Sequence, residues 1–100
     1  MRLPTNIKVG LVKYRIMQPP AMRAACSRGQ VSYKDAVITV AHSNKVTQRN
    51  YTMAERREVF WHELTHAVLH HMGHELTYDE TFVTRFAKVL SDAIDSATFD

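Results

Sequence analysis

The apolar residues change period near position 50, and that change restricts the chain to an architecture with strands first and helices after. Before it, Val12, Tyr14 and Ile16 alternate with Lys13, Arg15 and Met17, the period of two that a half-buried strand requires. Gly10 reads as a bulge ahead of this strand, and Pro19-Pro20 as its stop. Two further runs, Gly29 to Tyr33 and Ala36 to Ala41, are separated by Lys34-Asp35 and fit a hairpin. Its turn has no glycine, so the register is left open. The polar stretch from Ala41 to Tyr51 reads as a loop.

After position 50 the signals are helical. Thr52-Met53-Ala54-Glu55 forms a capping box, in which the hydroxyl and the carboxylate satisfy amides that a first turn leaves free. The helix is expected to run to Met72, with Gly73 closing it in the left-handed region. Phe60, Leu64, Ala67 and Val68 make its core face. Trp61, Leu69 and Met72 lie elsewhere on the wheel, which makes the helix apolar nearly all round and therefore central. Thr77-Tyr78-Asp79-Glu80 reads as a second capping box. It opens a helix whose Phe82, Val83, Phe86, Ala87, Leu90 and Ile94 recur at helical spacing. The expected fold is α+β: one domain over residues 1–100, with a small antiparallel sheet packed on these two helices.

Composition narrows the function classes. No 18-residue apolar run exists to span a bilayer, so no membrane partner is expected. The N-terminus lacks the pattern of a secretory signal, and Cys26 is the single cysteine, so a reducing cytoplasm is the expected compartment and the thiol is expected to be inert. The net charge of +3 conceals an uneven distribution: residues 1–57 carry +9 and residues 58–100 carry −6. No basic-aromatic stripe or recognition helix accompanies the basic half, so a nucleic-acid partner is not expected and the charge reads as a solvated surface.

The chemistry lies in His62-Glu63-Leu64-Thr65-His66, the HExxH pattern, which sets two imidazoles one turn apart on one helical face. Given this chain's histidine and glutamate content, about 0.02 such matches would arise by chance. Zinc is the expected ion, because two histidines, a third protein ligand and an open fourth position make a catalytic zinc site. Glu63, rotated about 100° from His62, is placed to act as general base on a water rather than to ligate. Peptide hydrolysis is the default reaction.

For the third ligand Glu80 is chosen, since it opens the second helix on the stripe of Val83, Ala87, Leu90 and Ile94; Asp79 and His70 are the alternatives. Five of the six histidines fall between positions 62 and 74. His70 lies one turn beyond His66 and is read, with Tyr78, as a candidate contact to substrate or transition state. His71 reads as a hydrogen-bonded packing residue. His42 and His74 could also donate to a tetrahedral intermediate. Met72 stands where a metzincin would need a histidine.

The run Glu58-Val59-Phe60-Trp61-His62-Glu63-Leu64-Thr65-His66-Ala67-Val68-Leu69-His70 resembles the active-site helix of ImmA/IrrE-type metallopeptidases. Glu80 ahead of Phe86-Ala87 is similar to that family's Glu-x-x-Ala-x-x-Phe-Ala helix, with Val83 in place of an alanine. The strand pair from Gly29 to Val40 is similar to the one that precedes the helix in short phage and prophage members. The resemblance covers about residues 29 to 94. It implies a zincin-like fold, zinc and, in some members, cleavage of a repressor protein. The expected partner is a protein or peptide substrate laid along the strand edge at residues 36–41. The alternative is a phage-encoded regulator that the zinc stabilises and that cuts nothing. Glu63 argues for the enzyme, because a structural site needs no water-activating carboxylate.

Overall fold

The computed structural model describes residues 2–20, 28–44, 47 and 49–99; Cys26 lies outside them. Four strands, β1 (Asn6–Val9), β2 (Val12–Met17), β3 (Gly29–Ser32) and β4 (Val37–Val40), precede α1 (Met53–His71), a 3-10 turn (Glu75–Tyr78) and α2 (Glu80–Ser96). The fold is α+β, and the alternation in β2 does set faces: Tyr14 is fully buried while Lys13 and Arg15 are exposed.

The sheet is mixed rather than antiparallel. Its order is β1-β2-β4-β3, with β1–β2 and β3–β4 antiparallel and β2–β4 parallel. After β2 the chain crosses to the far edge to lay down β3, and the hairpin then returns β4 between β3 and β2. Parallel neighbours need such a crossover. Residues 36–41 therefore do not form an edge: β4 is central, and the outer strands are β3 and β1.

Gly10 is not a bulge. It stands with φ +62 at the first position of the two-residue loop joining β1 to β2, where a hairpin of this length favours glycine. The strand it connects, β1, was not expected. At the β3–β4 turn Ala36 takes φ 54 in place of glycine, and its backbone oxygen accepts from the Arg15 amide at 3.0 Å. The stretch from Ala41 to Tyr51 is pinned at its ends by a bridge between Ser43 and Asn50 and by the buried Tyr51 ring.

α1 begins with the expected capping box, Thr52 and Glu55 satisfying each other's backbone amides at 3.1 and 2.9 Å. Gly73, with φ +68, follows its end. Phe60, Leu64 and Ala67 meet Tyr14, Ile38 and Val40 in the core. Val68 departs from expectation at 40% exposure, while Leu69 is buried on the side toward α2. The wheel gives angular position only, and the sheet covers a narrower arc of α1 than the apolar stripe offers.

α2 packs on α1 and the 3-10 turn, burying Val83, Ala87 and Ser91; Phe86 stays 47% exposed beside an apolar groove between the helices. The second capping box is absent. Asp79 caps α2, its side chain accepting from the Phe82 amide at 3.0 Å, and Thr77 lies inside the 3-10 turn. No helix among the described residues is long and apolar enough to cross a membrane.

Candidate metal centre

The connection between α1 and α2 is short, so the helices run antiparallel and the last turns of α1 face the first turn of α2. That apposition brings three of the expected residues together. His66 Nε2 lies 2.6 Å from Glu80 Oε1, and His62 Nε2 lies 3.1 Å from Glu80 Oε2. One ligand atom from each of His62, His66 and Glu80 falls within 4.8 Å of the others, a group that could hold a metal ion. Two imidazole nitrogens and a carboxylate are also the donor set of one type of catalytic zinc site. Lone pairs packed this closely need a proton or a cation between them; a proton makes the His–Glu ion pairs seen here, and the same donor set could hold a divalent ion.

Thr77 orients one of these donors. Its hydroxyl donates to the His66 carbonyl at 3.2 Å and lies 3.3 Å from His66 Nδ1, where it is placed to accept from that nitrogen in the tautomer that leaves Nε2 free to ligate. With Nδ1 carrying the hydrogen, Nε2 is the nitrogen turned toward Glu80. Reading Thr77 as a helix cap overlooked this role. The contact spans eleven residues, and nothing in a local pattern marks it.

Burial sets the protonation of the neighbouring groups. It lowers the pKa of His62, against the opposing pull of Glu80, which favours the neutral imidazole able to ligate. It raises Glu63 to about 7, the His66 charge opposing and Glu80 adding to the rise. A carboxyl at that value is matched to proton transfer near neutral pH. The Glu63 carboxyl shares with His62, His66 and Glu80 a cleft of about 760 Å³.

The opposite wall of this cleft is edge strand β3, with Gly29, Gln30 and Val31. Gly29 is required by close packing. A Cβ there would lie 2.5 Å from Val59 Cγ1, 2.9 Å from the Thr39 backbone oxygen and 3.3 Å from Glu63 Cγ. Bare backbone at this position lets β3 approach the helix beside Glu63.

The remaining candidates are placed elsewhere or at the rim. Tyr78 lines the cleft and is 85% exposed. His70 is outside the group of three; it stacks on Tyr33, a cleft residue, with ring centroids 3.7 Å apart and planes 8° from parallel. Asp79 is occupied as the α2 cap. His74 caps the 3-10 turn, accepting from the Leu76 amide at 3.1 Å. His71 is hydrogen-bonded at 2.6 Å to the buried Tyr14 hydroxyl, and His42 does not line the cleft.

Compared with protein-family models, curated proteins and solved structures, the chain matches none.

Proposed function

We propose that the protein is a zinc-dependent metallopeptidase of zincin-like architecture, as the resemblance of its α1 sequence to ImmA/IrrE-type enzymes suggests. The observation that carries the reading is the convergence of His62, His66 and Glu80 beside a Glu63 carboxyl whose pKa is raised to about 7. His62 Nε2, His66 Nε2 and the Glu80 carboxylate would hold the ion. When bound, zinc polarises a substrate carbonyl and lowers the pKa of water.

The chain's own residues supply the rest. Glu63 takes a proton from the attacking water as its oxygen bonds to the carbonyl carbon, then delivers that proton to the amine nitrogen as the C–N bond breaks. The substrate's extended backbone lies along β3, the open edge that faces Glu63 across the cleft. Tyr33 and Tyr78 form the aromatic part of the cleft wall. Three donors among the described residues, rather than the four of a closed structural site, favour catalysis over a zinc-stabilised regulator.

The test pairs metal analysis with peptide cleavage. Wild-type protein is expected to carry close to one zinc, which His62→Ala and His66→Ala lose. Glu63→Gln is expected to keep the zinc and lose hydrolysis. Zinc retained by both histidine variants would refute the metal assignment, and cleavage retained by Glu63→Gln would refute the role of the base.

A further inference from the structure

The strand register gathers part of the basic charge of the N-terminal half on one surface. Lys8 pairs directly with Lys13 across β1 and β2, and Asn6 pairs with Arg15. Side chains on paired residues share a face, and Lys13 and Arg15, two apart on β2, share it as well. Ile7, Val9, Val12 and Tyr14 point the other way, into the core under α1. Lys8, Lys13 and Arg15 therefore stand together on the outer face of the sheet, which no other element among the described residues covers.

Two observations set this face apart from an ordinary solvated surface. Like charges directly opposite each other in a sheet oppose folding, yet Lys8 and Lys13 are so placed. Of the eight other cations among the described residues, five have partners: Arg28 and Arg49 reach Glu55, Arg57 reaches Asp95, Lys88 reaches Asp92, and Arg56 reaches Gln18, while Arg2, Lys34 and Arg85 stand apart from one another. None of the ion pairs among the described residues includes Lys8, Lys13 or Arg15. Asp35 is the only acid before Glu55, and it makes no ion pair with Arg15.

The chemistry of the face selects among polyanions. It adds Asn6, Ser32 and Thr39, all able to hydrogen-bond phosphate oxygens, around the apolar Val37 and Met17. The register puts no aromatic ring on it, although rings anchor protein interfaces and provide the stacking platforms of single-strand binders. We propose that the outer face of the β1–β2 hairpin, with Lys8, Lys13 and Arg15, binds the phosphate backbone of duplex nucleic acid without reading its sequence. The surface lies on the far side of the sheet from α1 and its metal ligands, so the inference does not depend on peptidase activity.

The test is fluorescence anisotropy of a labelled duplex of about 20 base pairs, titrated with the full chain between roughly 50 and 200 mM salt. Three phosphate contacts predict a log–log salt slope of about −2 to −3. Lys8→Gln, Lys13→Gln and Arg15→Gln combined should weaken binding at least about tenfold and flatten that slope. Lys88→Gln on α2 should bind like wild type. Lys13→Glu alone, checked for its fold by circular dichroism, serves if the triple variant unfolds, and it should also weaken binding. The proposal is overturned by no salt-dependent binding, by unchanged affinity in the folded variants, or by equal weakening in Lys88→Gln. Tighter binding of a single strand, or equal competition by poly-glutamate, would also overturn it.

Discussion

One hydroxyl decides which nitrogen of His66 faces Glu80. Because Thr77 donates to the His66 carbonyl and is placed to accept from Nδ1, replacing it with valine removes the acceptor and leaves a half-buried N–H unpaired. Thr77→Val is expected to weaken zinc binding about 10- to 100-fold in competition with a chromophoric chelator, while Thr77→Ser stays near wild type. Equal affinities in all three proteins would show that the hydroxyl does not orient the ligand. Glu63 gives a second prediction, for the metal-free protein. Its folded pKa of about 7 exceeds the 4.5 of an unperturbed glutamate, so its protonated form favours folding. That stabilisation is complete below about 4.5 and is lost as pH rises through about 7, amounting to on the order of 3 kcal/mol. Glu63→Gln removes the titration. Urea unfolding after zinc removal should therefore show the variant more stable than wild type at pH 8 and similar at pH 4; a constant difference across this range would contradict the burial of the carboxyl.

The antiparallel helix pair is held at both ends. At one end Glu80 meets His62 and His66; at the other, Arg57 at the start of α1 grips Asp95 near the end of α2 through two bonds of 2.9 and 3.3 Å. Arg57 is 15% and Asp95 31% exposed, so solvent screens this pair less than the exposed Lys88–Asp92 pair. Asp95→Asn keeps the shape and removes the charge. It should cost about 1–2 kcal/mol of unfolding free energy, against a few tenths for Asp92→Asn. Equal losses in the two variants would mean that the clasp adds nothing to helix registration. The capping boxes show how tertiary contacts override local signals: Thr52 and Glu55 form theirs, whereas Thr77 is drawn to His66 and leaves Asp79 to cap α2.

At the scale of the whole molecule, a bound ion would join α1 to α2 at the end opposite the Arg57–Asp95 pair, adding to the apolar contacts of Val83 and Ala87. If the proposed site binds zinc, the ion at a thousand times its dissociation constant would add about 4 kcal/mol to stability. In a domain of this size, its removal by a chelator should lower the melting midpoint by more than about ten degrees. A chelator should leave His62→Ala unmoved; the same shift in that variant would place the ion elsewhere. The amino-acid sequence by itself determined the α+β class, the faces of β2, the extent of α1 and the pairing of His62 with His66, because each follows from periodicity or spacing within one element. Glu80 was legible as a candidate because it opens the helix that had to pack on α1. Strand order was not: alternation tells which side of a strand is buried, but not which strand lies beside it. Only the tertiary structure placed β4 at the centre and β3 at the cleft, because that depends on the path of the chain between β2 and β3. Thr77 beneath His66 and Lys8 opposite Lys13 have the same origin, since no single segment contains both members of either pair.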